Sequence, residues 1–171
     1  VAERLVSAGV CTQATAKALG LFDRELTARQ AADRHMSAVF CLSLYEKNKE
    51  IDAKKPSSSA SGFFISADGT AVTNYHSISD GIYAEATLVT GETYPIESVL
   101  YYDTEIDIAV IRVSRTSIEE RTTSGFAYLE MAGTADARQG DVVYTLGNPL
   151  GMGLAVSSGI ISSTERTVDS Y

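Results

Sequence analysis

Residues 61–76 read SGFFISADGTAVTNYH. Two short β-rich runs, Gly62–Ser66 and Thr70–Tyr75, flank the turn Ala67-Asp68-Gly69, and His76 follows the second run directly. Asp-Gly between two such runs predicts a hairpin, because glycine accepts the positive φ that a tight turn requires. The same pattern continues on both sides. Ala38–Tyr45 precedes it, across a polar loop at 46–60 that contains Lys54-Lys55-Pro56. Tyr83–Thr90, a turn at Gly91-Glu92, Tyr94–Tyr102 and Ile108–Val113 follow. Short strands at regular spacing, with tight turns and little helix, predict a closed antiparallel barrel.

The flanks read differently. Residues 1–36 have helical spacing, with Leu5, Val6 and Val10 apolar, a cap at Thr12 and a stop at Gly20. Thr27 with Gln30 three positions later is a capping-box pattern that opens a helix through about Met36. Leu5, Leu19 and Leu21 are expected to pack on one another or on the barrel. Beyond a polar connector at 114–125, Phe126–Met131, Asp141–Leu146 and Ala155–Thr164 read as further strands around a glycine-rich loop, Gly147–Gly153. Two or three strands leave open edges and half a core, so this part is too short to close a barrel of its own and reads as truncated. The expected organisation is a helical segment at 1–36, a first barrel at 37–125 and the beginning of a second at 126–171.

Composition narrows the function. The chain has 171 residues, 44% hydrophobic and 21% charged, with a net charge of −8. These are ordinary values for a folded domain. The first 35 residues carry five basic and four acidic groups, and the remainder carries nine basic and eighteen acidic. An acidic body repels phosphate backbones, which argues against nucleic acid as a partner. No apolar run reaches membrane-spanning length. Cys11 and Cys41 stand thirty residues apart with no second pair, which argues against a thiolate metal site. Two small buried side chains or a single disulfide remain open.

Two residues stand out chemically. An imidazole at a strand end, such as His76, can be held rigidly and still reach solvent, and its ordinary pKa near 6.5 suits general-base work. Asp107, between Ile106 and Ile108, is a carboxylate entering an aliphatic strand, where it needs a partner. A backbone amide or an imidazole would serve. Gly147-Asn148-Pro149 lacks the Gly-Lys-Ser/Thr of a phosphate loop.

In combination these blocks are specific. Ser-Gly-Phe-Phe-Ile-Ser at 61–66, Asp68-Gly69, Thr73-Asn74-Tyr75-His76, Asp107-Ile108-Ala109-Val110, Gly140-Asp141, Gly147-Asn148-Pro149 and Ser158-Gly159-Ile160-Ile161-Ser162 occur in this order. From about Ala38 to Ser163 the chain resembles the HtrA/Deg branch of the trypsin-like serine proteases. The resemblance implies a mostly β, chymotrypsin-type double β-barrel, with the first barrel complete and the second only begun. It implies serine-type endopeptidase chemistry on polypeptide substrates, with His76 as general base, Asp107 as its orienting carboxylate, and no metal or cofactor. It also implies an extracytoplasmic setting. The family's nucleophile lies in a Gly-Asn-Ser-Gly-Gly block, which is not found in these 171 residues. Ser157, Ser158, Ser162, Ser163 and Ser170 lack its context. The nucleophile is therefore expected beyond Tyr171, and the 171-residue chain alone is expected to be inactive. A further C-terminal part, or self-association, would complete the second barrel. Ser77 stands where the family commonly has valine, and Ile106 where it has threonine.

Other readings are a catalytically silent domain used for binding, a cysteine nucleophile on the same fold, and a surface-anchored interaction protein. The last rests on Leu26–Ala32, which faintly resembles the helix of bacterial surface-layer homology modules.

Overall fold

Alternation of apolar and polar side chains along each strand sends every second residue to one face, and closing that face on itself buries it. The computed structural model describes residues 26–133, 137–147 and 155–164. The expectations for Leu5, Leu19, Leu21 and Cys11, and for the loop at 148–154, lie outside the described residues. Six strands form one closed antiparallel barrel: β1 (Val39–Tyr45), β2 (Ser58–Phe64), β3 (Thr70–Thr73), β4 (Tyr83–Leu88), β5 (Thr93–Asp103) and β6 (Ile108–Val113). Their order around the barrel is β1-β2-β3-β6-β5-β4, and β4 returns to β1.

The core follows the alternation. Phe40, Leu42 and Leu44 of β1 face inward with Phe64, Ala71, Ala84, Ala86, Tyr94, Ala109, Ile111 and Val113. Complete burial of a side chain such as Phe64 or Ile111 contributes roughly 1.5–3 kcal/mol. Two glycines are sterically required. Gly62 lies opposite Phe40, and a Cβ there would run into the Phe40 ring. Gly69, in the Asp-Gly turn, has φ +95°, and a Cβ there would strike the Val113 carbonyl oxygen.

Three local differences from the sequence expectation have physical causes. Residues 46–60 are not simply a loop: beyond helix α1 (Ala28–His35), a one-turn helix, α2 (Asn48–Asp52), forms there, and β2 already begins at Ser58. The Glu50 carboxylate orders this segment by accepting from the amides of Glu46 (3.0 Å) and Lys47 (3.1 Å) and from the Ser57 hydroxyl (2.6 Å). Hydrophobic periodicity cannot register such a polar network. Next, β3 ends at Thr73, and His76 sits in a 3₁₀ turn, Tyr75–Ser77, rather than on the strand end itself. Finally, residues 126–131 form no strand. The Phe126 amide donates to the Ala67 carbonyl (3.0 Å) and that of Leu129 to Phe64 (2.9 Å). The Phe126 ring is buried in the barrel, stacked on Phe64 at 4.2 Å and edge-on to Tyr94 at 5.1 Å. By packing, Phe126 is part of the first barrel.

Outside the barrel, helix α1 (Ala28–His35) starts at the expected capping box: the Gln30 amide donates to Thr27 Oγ1 (3.3 Å), and the Thr27 amide to Gln30 Oε1 (2.9 Å). Strands β7 (Val142–Gly147) and β8 (Ala155–Ile160) form a separate two-stranded antiparallel sheet. The Tyr144 hydroxyl donates to the Leu26 carbonyl (2.6 Å) and ties β7 to the segment leading into α1. Among the described residues, this hairpin is what represents a second barrel.

Candidate active site

The site is built from the ends of β3 and β6, which are neighbours in the barrel although far apart in sequence. Their register pairs Thr73 with Ala109, so the residues just after β3 meet those just before β6. Thr73 is anchored from within, its hydroxyl donating to the Ser61 carbonyl (2.8 Å). The chain then turns through Tyr75–Ser77, where the Ser77 and Ile78 amides donate to the Asn74 and Tyr75 carbonyls (3.2 and 3.0 Å). This turn projects the imidazole outward, and the His76 side chain is 74% exposed.

Asp107 reaches His76 because of an unusual backbone. It has φ 54°, in the left-handed region. For a residue with a Cβ this costs on the order of 1 kcal/mol, and aspartate is among the residues that tolerate it. The preceding turn is held by Asp103, whose Oδ1 accepts from the amides of Glu105 (2.8 Å) and Ile106 (3.2 Å). The result is a carboxylate clamped on the histidine turn. Asp107 Oδ2 lies 2.6 Å from His76 Nδ1, and Oδ1 accepts from the His76 backbone amide at 2.9 Å. The Asn74 side-chain amide donates to Oδ2 (3.2 Å) and to the Asp107 carbonyl (3.1 Å), and the Tyr75 amide donates to that same carbonyl (3.2 Å).

The electrostatics follow from these contacts. The His76 backbone amide, then the His76 side chain, and to a lesser degree Asn74, hold the Asp107 carboxyl below its ordinary pKa. An ionised carboxylate only accepts hydrogen bonds, so His76 Nδ1 must carry the proton. That leaves the Nε2 lone pair directed away from Asp107 and able to take a proton from a group outside. The histidine and aspartate singled out in the sequence are thus brought together. Asn74 belongs to the Thr73-Asn74-Tyr75-His76 motif, and the structure gives it a definite contact. Tyr75 also gains a partner, stacking on Tyr102 at 5.0 Å. A hollow of about 820 Å³ lies elsewhere, between α1, residues 128–130 and β7, and neither His76 nor Asp107 lines it. No group of three or more metal-ligating side chains occurs among the described residues.

The family model described as the trypsin-like peptidase domain matches residues 60–171. A protein of Bartonella henselae described as "Probable periplasmic serine endoprotease DegP-like" is 34% identical over 146 residues, covering 81% of this chain and 27% of that protein. Mitochondrial serine protease HTRA2 of Bos taurus is 35% identical over 111 residues, 65% of this chain and 22% of that protein. Serine protease HTRA4 of Mus musculus is 28% identical over 162 residues, 94% of this chain and 32% of that protein.

The chain belongs to the trypsin-like peptidase family, in its HtrA branch. It spans between about a fifth and a third of the length of these curated relatives. In this HtrA-type chain the match runs from within β2 through β8, the region that contains both His76 and Asp107. Among the described residues, no helix is long and apolar enough to cross a membrane.

Proposed function

We propose that these 171 residues supply the general base and its orienting group to a serine endopeptidase. His76 takes the proton of a serine hydroxyl through Nε2 and later returns it to the leaving amine. Asp107 fixes the tautomer and stabilises the imidazolium that forms. The observation that carries this reading is the 2.6 Å contact between His76 Nδ1 and Asp107 Oδ2, with a second Asp107 oxygen on the His76 amide. Asn74 holds the carboxylate from the other side.

The remaining parts of the chemistry come from outside this sequence. A serine within a Gly-Asn-Ser-Gly-Gly context, and the amides that stabilise the oxyanion, are needed for acyl transfer. In this reading the barrel of residues 39–126 is one unit, and β7 and β8 are the start of a second that later sequence completes. The substrates are polypeptides and the setting is extracytoplasmic, as the name of the Bartonella relative suggests.

The purified 171-residue chain is expected to show no turnover of casein or of short peptide esters. A longer form that includes the nucleophile block is expected to gain activity, and His76→Ala is expected to abolish it. Turnover by the short chain that survives His76→Ala would overturn the assignment. A longer form that folds and has its serine but stays inactive would favour a silent binding domain.

A further inference from the structure

The barrel is closed, but one seam is not fully zipped. Strand β5 pairs with β4 only through Thr93–Pro95, opposite Glu85–Thr87. From Ile96 to Asp103 its ladder partner is β6. Register shifts between Ile96 and Ser98 and between Val99 and Tyr101 mark bulges in this part of β5, and β4 begins only at Tyr83, so most of the stretch runs past it. A slot of about 150 Å³ opens between this part of β5 and the segment 78–84 that leads into β4, lined by the aliphatic side chains of Leu44, Ile78, Ile82, Ile96 and Val99 among others.

Along the same strand four large apolar residues follow one another in solvent: Val99, Leu100 (49% exposed), Tyr101 (58%) and Tyr102 (55%). Natural edge strands are usually short or guarded by charge, because an open apolar edge invites another strand. Here the guarding charges have one sign. No lysine or arginine occurs between Lys55 and Arg112, whereas the interval holds eight carboxylates. Glu97 and Glu105 flank the apolar run and are exposed. Arg112, which lies across from Ser98, is committed to Asp68 at 2.7 Å.

We propose that the open edge of β5 at residues 97–102, with the adjoining slot, docks an extended polypeptide segment in which lysine or arginine alternates with apolar residues. The segment adds a strand to β5 through its backbone, places an aliphatic side chain in the slot and sets its cations against Glu97 and Glu105. Charge selects this occupant. A second copy of the chain would bring the same carboxylates to the same edge, and like charges opposed across a strand pair are destabilising. The strip ends at the candidate active site, since Tyr102 stacks on Tyr75, beside His76, and Asp103 pairs with Ile108, next to Asp107. That the docked segment belongs to a substrate rests on the proposed protease function; the docking itself does not.

The test is fluorescence anisotropy of a labelled peptide alternating lysine and valine, titrated with the 171-residue protein, against a glutamate–valine control. The lysine peptide is expected to bind and the glutamate peptide not. Binding should weaken as salt rises from about 0.05 M to about 0.5 M. The exposed double variant Glu97→Lys/Glu105→Lys is expected to bind about tenfold more weakly or worse, from two lost attractions and two new repulsions. Leu100→Ser should weaken binding at unchanged charge. Equal binding of both peptides, no binding of either, or an unaffected double variant would overturn the proposal. So would a sedimentation result showing a dimer that Leu100→Ser dissociates, which would make a second copy the occupant. Because the readout is binding, a negative result leaves the catalytic roles untouched, and a failed hydrolysis assay leaves the docking strip untouched.

Discussion

The barrel and the β7–β8 hairpin are built from similar sequence and end in opposite states. Strand β6, Ile108–Val113, buries Ala109, Ile111 and Val113 in strict alternation. Strand β7, Val142–Gly147, is just as rich in β-formers, yet none of its residues is buried, and none of β8's is either. The difference lies in the number of neighbours. Each barrel strand has a partner on both sides for at least part of its length and a packed face opposite. Among the described residues, the two-stranded sheet has one ladder and the short helix α1 beside it rather than a packed sheet, and such a hairpin is marginal by itself in water. A precise site needs the first kind of support. Both halves of the His76–Asp107 pair are mounted on the barrel, at the ends of adjacent strands.

That contrast can be tested in four ways, ordered by expected effect. The largest concerns the pair itself. In a form of the protein that carries the nucleophile, Asp107→Asn should lower kcat by about 10⁴-fold, because the imidazole loses its tautomer and its counter-charge. Steady-state kinetics would show this. A fall of less than about tenfold would mean the clamp is only structural.

Next comes the limit of the barrel. Phe126→Ala removes a ring stacked on Phe64 and should cost about 3–5 kcal/mol in denaturant unfolding. A cost below about 1 kcal/mol would place Phe126 outside the cooperative unit.

The third is a pH effect. Hydrogen bonds from His76 lower the Asp107 pKa in the folded state. A carboxyl whose folded value lies below its unfolded value of about 3.9 stabilises the protein above that pH and stops doing so as pH falls through the folded value. Asp68, lowered chiefly by Arg112 and Thr70, acts in the same direction. Thermal midpoints should therefore fall in acid below about pH 4, and Asp107→Asn should shed part of that fall. A variant with an unchanged acid limb would show that Asp107 is not coupled to folding.

The smallest effect belongs to the hairpin. Val142→Thr or Ile160→Thr should change stability by no more than about 0.5 kcal/mol, since both side chains are exposed. A cost comparable to that of Phe126→Ala would show that the hairpin is already packed in solution.

Much of this architecture is legible along the chain. The Asp68-Gly69 turn, the alternation in β6 and the Thr27–Gln30 box are local patterns, and each appears in the structure within a residue or two of where the sequence puts it. The order of the His76, Asp107 and Gly-Asn-Pro blocks points to the trypsin-like peptidases, and the family match agrees. The short helix at Asn48–Asp52 escapes such a reading, because side-chain hydrogen bonds to Glu50 create it and no apolar period marks it. Phe126 escapes too. A phenylalanine after a polar connector looks like the start of a new strand until the Phe64 ring is found beneath it.

The sequence by itself determined which residues alternate, where the chain must turn and which two side chains have acid–base chemistry to offer. Those properties depend on neighbours within a few positions, and a linear reading contains them. Only the tertiary structure decided that β3 and β6 lie side by side and that Asp107 takes a left-handed backbone. It also decided that Asn74 secures the carboxylate and that β5 parts from β4 beyond Pro95. The pairing of β3 with β6 and the two contacts to Asp107 join residues more than thirty positions apart, such as the His76–Asp107 pair at a separation of 31. Such contacts form only when closing the barrel buries enough apolar surface to offset the entropy of bringing those segments together.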